Sequence, residues 1–132
     1  MMIDSSLKAY FDALVERQGL AQDVPRETVS FADGTMPLPH ACHANVDRFV
    51  AEQPACIAVR GWVISGRLGT AILLDAHSVV SRPDGSWIDI TLKPEDQRAP
   101  FVAHKGDDSL FEAIRSRVNR MAWPPVGHVI SA

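Results

Sequence analysis

The stretch DAHSVVSRPDGSWIDIT, residues 75–91, decides how this chain is read. Two β-rich runs flank Arg82-Pro83-Asp84-Gly85, where proline pre-sets φ at the first central position of a type I turn and Asp84 takes the second. Gly85 then supplies the left-handed residue of a three-residue hairpin loop with a bulge. That loop sets Arg82 against Ser86, Val79 against Asp89 and His77 against Thr91. His77 and Asp89 fall diagonally on one face, within side-chain reach. A two-residue Asp-Gly turn would move the register by one and send them to opposite faces. Asp75, Val79, Trp87 and Thr91 share the face of His77, while Ala76, Val80, Ile88 and Ile90 take the other.

Outward from the hairpin, the sequence predicts a small antiparallel sheet with helices against it. Strand-like runs cover Cys56 to Ile64 and residues 69–81, with Ser65-Gly66 and Gly69 making the turn, and Trp87 to Leu92 completes the hairpin. Asp4 to Gly19 has Leu7, Tyr10, Phe11, Leu14 and Val15 at helical spacing. A second helix begins near Cys42, because Pro37 and Pro39 disfavour helix just before it, and Gln53-Pro54 ends it. Ser109-Leu110-Phe111-Glu112 fits a capping box, opening a last helix with Leu110, Phe111, Ile114, Val118 and Met121 on one face. The segments from Leu20 to His40 and from Lys93 to Asp107 read as connections, the first with a short strand around Val29 to Phe31. The fold class expected is α+β, one domain over residues 1–132.

Composition narrows the function classes. The chain has 132 residues, 46% hydrophobic and 22% charged, and a formal net charge of −3. Basic residues are scattered, so no nucleic-acid partner is expected. No apolar run is long enough to span a bilayer, and the N-terminus lacks a basic start followed by an apolar stretch. The two cysteines, Cys42 and Cys56, form no disulfide framework, and a cytoplasmic location is expected.

Chemistry concentrates at Cys42, His77 and Asp89. A cysteine in the first turn of a helix meets the positive end of the helix dipole, which favours thiolate. A histidine beside it can take the proton, and a carboxylate on the far ring nitrogen fixes that histidine's tautomer. Asp75, two residues before His77, is the rival orienting carboxylate. Trp62 and Trp87 are candidates to hold substrate, as is Asn45 in the helix that Cys42 opens. Cys56, in an apolar strand, is expected to be buried and inert.

The order of Cys at a helix start, His on a strand and Asp on the next resembles the papain-like core, and within it the transglutaminase-like branch. His77-Ser78-Val79-Val80 and Gly85-Ser86-Trp87-Ile88-Asp89-Ile90-Thr91 are similar to that family's His-Ala-Trp-Val and Trp-x-x-x-Asp-Pro-Thr segments. The resemblance covers the middle third to half of the chain. It implies a reduced papain-like fold with Cys42 as nucleophile, His77 as base and Asp89 as orienting acid. Where the family often has Trp after its Cys, this chain has His43. Val79 replaces the Trp two residues after the His, and Ile90 replaces the Pro after the Asp. No upstream glutamine aligns as oxyanion donor, which leaves His40 and Asn45 as candidates for that part.

The function expected from these residues is thiol-dependent acyl transfer or hydrolysis of an amide or ester, on a peptide, protein or small-molecule acyl substrate. Two other readings stay open. One is a non-enzymatic binding or interaction domain in which the same residues are structural. The other is a small zinc-binding protein using His40, Cys42 and His43 with His77. Adjacent residues diverge by about 100° on a helix, which opposes joint ligation by Cys42 and His43, and no metal or other cofactor is expected.

Overall fold

The computed structural model describes residues 5–91 and 99–125. Its elements are α1 (Ser5–Glu16), α2 (Cys42–Glu52), β1 (Ile57–Leu68), β2 (Ala71–Ser81), β3 (Trp87–Ile88), β4 (Phe101–Ala103), α3 (Asp108–Arg117) and β5 (Arg120–Trp123), with a short 3₁₀ turn at Gln18–Leu20. The strands are ordered β3-β2-β1-β4, and β5 also pairs with β2. This is an α+β fold of three helices packed against an antiparallel sheet. By its contacts the chain forms two compact units: Met1–Gln22, Gly61–Ala76 and Ala99–Ala132 make the first, Asp23–Arg60 and His77–Arg98 the second.

The first unit holds an aromatic core. Leu7, Phe11 and Leu14 of α1, spaced one helical turn apart, bury against Trp62, Ile72, Leu74, Val102, Phe111 and Trp123. Burying each such side chain contributes about 1.5–3 kcal/mol. Gly61 belongs here for a steric reason. A Cβ at this position would meet the Val102 carbonyl and lie 2.6 Å from the Phe101 ring, so β1 and β4 close only over a bare backbone. Tyr10 ties the same core together, since its hydroxyl accepts from Trp62 Nε1 at 2.9 Å and bonds His104 Nδ1 at 2.7 Å. Burial raises the Tyr10 pKa above its ordinary value, against opposing contributions from the Trp62 bond and the Arg17 charge. Asp107, not Ser109, caps α3: its carboxylate accepts from the Leu110 N–H at 2.9 Å and from the Ser109 hydroxyl. The helix therefore starts two residues earlier than a Ser109 cap would set it.

The second unit contains the hairpin and α2. Val80 pairs with Ile88 and Ser81 with Trp87, and Arg82 N–H donates to Ser86 O, which is the register of the three-residue loop. Gly85 is left-handed at φ +86 with nothing within 4 Å of a Cβ built there. Replacing it by valine should therefore cost backbone strain and no clash, about 1 kcal/mol or more in urea unfolding; an unchanged midpoint would refute the left-handed turn. Val46, Val80, Ile88 and Ile90 form a compact apolar cluster beside Phe49, Val50 and Cys56.

Four expectations about elements are corrected. The connection after α1 carries no strand at Val29–Phe31; it makes isolated bridges at Gln22 with Phe101 and at Arg26 with Asp89 instead. The segment before α3 supplies β4, and Met121 lies in β5 rather than on the last helix. Cys56 sits half-buried just ahead of β1, outside the strand. The end of the expected hairpin strand at Leu92, the segment 93–98 and His128 lie outside the described residues.

Candidate active site

Every residue that bears on the site comes from the second unit. The first is Cys42, the opening residue of α2. His40, two positions earlier, is left-handed at φ 61, a conformation that non-glycine residues rarely adopt. Ala41 provides no side-chain cap, so the N–H groups of the first turn lack the side-chain partner that Ser, Thr, Asp or Asn would offer. The approach to the helix is pinned by Asn45, whose carboxamide closes on both backbone groups of Leu38 and also donates to Thr91 Oγ1 at 3.0 Å. Farther along α2, Arg48 pairs with Asp33 at 2.9 Å and Glu52 accepts from Ala32 N–H. The segment ahead of Cys42 is thereby strapped to its own helix.

Across from α2, His77 Nε2 lies 2.7 Å from Asp89 Oδ2, with the two side chains 6% and 14% exposed. The diagonal placement that the turn length implied brings these two groups together. The other carboxylate oxygen of Asp89 accepts from Thr91 N–H at 3.0 Å. The Asp89 backbone exchanges hydrogen bonds with Pro25 and Glu27. Thr91 thus links the aspartate to Asn45 of α2. Asp75 is engaged elsewhere: Arg120 Nε pairs with it at 2.8 Å.

The surroundings of the Cys42 thiol favour its ionised form. Burial pushes its pKa up, but hydrogen bonds from His43 and His77 and the charges of both rings outweigh this and bring it from an ordinary 9.0 to about 5. Burial pulls His77 down, whereas its bonds to Asp89 and to Cys42 and their charges raise it from 6.5 to about 9.

Comparison of the chain with family models, curated proteins and solved structures gives no match. What can be said of the site therefore rests on its own chemistry.

The remaining candidates are distributed as follows. Asn45 is buried, and its amide is committed to Leu38 and Thr91. Trp62 is fully buried in the aromatic core of the first unit, so no ring face meets solvent there. Trp87 is half-buried on β3, and His40 is exposed. Among the described residues, no group of three or more His, Cys, Asp or Glu side chains is arranged to hold a metal. Nor is any helix among them long and apolar enough to cross a membrane.

The sequence reading missed the polar line behind Cys42. His43 Nδ1 lies 2.6 Å from Ser78 Oγ, and Ser78 Oγ accepts from Arg60 Nη1 at 2.9 Å. Arg60 Nη2 pairs with Asp47. The local signals were a histidine directly after the cysteine and a serine directly after His77. Arg60 on β1 gave none.

Proposed function

We propose that this protein is a thiol-dependent acyl hydrolase or acyltransferase acting on an amide or ester, with Cys42 as nucleophile, His77 as acid and base, and Asp89 as the orienting carboxylate. The main support is the mutual shift of Cys42 and His77 toward a thiolate–imidazolium pair, joined to the 2.7 Å contact of His77 with Asp89. The resemblance of the hairpin to papain-like and transglutaminase-like segments points the same way.

In this reading the Cys42 thiolate forms a bond to the carbonyl carbon and the carbonyl π pair moves onto oxygen. That pair returns as the bond to the leaving nitrogen or oxygen breaks, and the leaving group takes the proton of the His77 imidazolium. A thioester on Cys42 and a neutral imidazole remain. Water or an amine then attacks the thioester as His77 takes its proton. Release of the acid or the new amide restores thiolate and imidazolium. The first-turn N–H groups of α2, Cys42 included, are suited to hold the oxyanion.

The direct test is an activated ester. Incubation with p-nitrophenyl acetate should give one acetyl adduct on Cys42, seen by mass spectrometry, that forms and decays; the Cys42→Ser variant should give no thioester adduct. Absence of any adduct on Cys42 in the native protein would reject the reading. A second comparison separates the two carboxylates. Asp89→Asn should slow acylation at mildly acidic pH about tenfold or more, since the imidazolium loses its partner charge. Asp75→Asn should stay within about twofold, because its partner is Arg120. The reverse ranking would remove Asp89 from the mechanism.

A further inference from the structure

The sequence offers Asn45 as a group for substrate or oxyanion, but its carboxamide is spent inside the protein. Oδ1 accepts from Leu38 N–H at 3.1 Å. Nδ2 donates to Leu38 O at 2.8 Å and to Thr91 Oγ1 at 3.0 Å, which uses both of its hydrogens. Leu38 settles which end of the amide is which, since its N–H only donates and its carbonyl only accepts. Thr91 Oγ1 is therefore the acceptor in its bond to Asn45. Asn45 is 5% exposed and Thr91 2%, so breaking this bond leaves a buried polar group unpaired.

Each end of the bond belongs to one part of the proposed chemistry. Asn45 follows Cys42 by three residues in α2, which puts both on one face of the helix. Thr91 N–H donates to Asp89 Oδ1 at 3.0 Å, and Asp89 Oδ2 lies 2.7 Å from His77 Nε2. The Asp89 backbone is fixed as well, its N–H donating to Pro25 O and its carbonyl accepting from Glu27 N–H. A line of hydrogen bonds thus runs within the second unit from the first turns of α2 through Asn45, Thr91 and Asp89 to His77.

We infer that Asn45 and Thr91 are positioning residues that hold the Cys42 turn of α2 in register with the Asp89–His77 pair. The inference rests on the thiol-acyl reading. Both residues act through others: Thr91 through Asp89, and Asn45 through Thr91 and through the helix it belongs to. Acyl transfer needs sulfur, carbonyl carbon and ring nitrogen aligned, and a misplacement of about 1 Å costs about a hundredfold in rate. The Asn45–Thr91 bond ties the helix that carries the nucleophile to the hairpin that carries its base.

Three measurements on the full chain test this. In the native protein the side-chain amide hydrogens of Asn45 should exchange with deuterium at least about tenfold slower than those of exposed Asn119. Equal exchange overturns the inference without any variant. Thr91→Val keeps the shape and the backbone N–H and removes the acceptor. Its acetylation on Cys42 by p-nitrophenyl acetate should slow about tenfold, and the half-point of Cys42 alkylation by iodoacetamide against pH should move upward. Thr91→Ser, which keeps the hydroxyl, should recover most of both. Asn45→Ala should slow acetylation at least as much, and adding Thr91→Val to it should cost no more than about twofold further, because Thr91 Oγ1 has then already lost its donor. A merely structural role would lower the melting temperature of these variants and leave rate and half-point in place, which overturns the inference. So does a serine variant no better than valine, or full additivity in the double variant. A native protein that forms no acetyl adduct on Cys42 sinks the thiol-acyl reading and this inference together. Equal acetylation of the native protein and Thr91→Val sinks only this one.

Discussion

Near pH 6, Cys42 of the native protein should alkylate with iodoacetamide about tenfold faster than the same residue in the urea-unfolded chain, and near pH 9 the order should reverse. Both halves follow from one shift, from an ordinary 9.0 to about 5. Near pH 6 a thiol of the lower value is about nine-tenths ionised and one of the ordinary value about a thousandth, a ratio on the order of 10³. Intrinsic nucleophilicity falls as pKa falls, by a factor of about 40 to 100 over four units. The thiolate fraction wins near pH 6 and leaves roughly tenfold. Near pH 9 the fractions differ only about twofold, and nucleophilicity decides for the unfolded thiol. The native rate should be flat above about pH 6, and His77→Ala should push that plateau to higher pH. Peptide mass spectrometry assigns the label to Cys42, with Cys56 read in the same digest. A native rate that climbs about tenfold per pH unit up to about pH 8 would mean an ordinary thiol and no ion pair.

The hairpin was legible because its information is local. Pro83, Asp84 and Gly85 each have one physical role in the turn, and together they fix the register that joins His77 to Asp89. The start of α2 at Cys42 was legible for a similar reason, with Pro37 and Pro39 excluding helix just ahead of it. β5 was not legible, because Ile114, Val118 and Met121 continue a helical spacing past the point where the helix ends. Val118 is already extended, at φ −143 and ψ 90, and Met121 pairs with Leu74. β4 has only three residues, too few to show a period of two. Trp62, after Gly61 in a strand, fits the core first and a substrate-holding face second, and its burial among Tyr10, Phe11 and Phe111 decides for the core. The choice between Asp75 and Asp89 turned on Arg120, 45 positions from Asp75 in the chain. The polar line behind His43 draws on α2, β1 and β2, and residues from three elements carry no common spacing.

The proposed ion pair should leave a mark on stability, and the Cys42→Ser variant should reveal it. Cys42 is depressed in the fold, so its contribution is complete above the unfolded value of 9.0 and is lost as pH falls through about 5. His77 is raised, so its contribution is complete below the unfolded value of 6.5 and is lost as pH rises through about 9. From about pH 6.5 to 9 the two trends oppose and cancel, because folded and unfolded chains bind the same number of protons at these two groups. From about pH 5 to 6.5 they do not cancel. The unfolded chain carries a thiol and an imidazolium, the folded chain a thiolate and an imidazolium, and the extra proton on the unfolded side makes stability rise with pH. The slope from one proton is about 1.4 kcal/mol per pH unit, so about 2 kcal/mol accumulates over that window. Carboxylates elsewhere also titrate near its lower edge, but they do so in both proteins and drop out of the difference. Urea unfolding of native and Cys42→Ser protein at several pH values should therefore show a stability gap that widens from about pH 5 upward. In the variant, His77 keeps its bond to Asp89 and loses its stabilisation as pH rises, with no thiolate to offset that, so the gap goes on widening above about pH 6.5. A gap that stays constant with pH would mean that Cys42 enters the fold as a neutral thiol. The hydrogen bonds around it would then be structural, and the acyl chemistry proposed for it would lack its nucleophile.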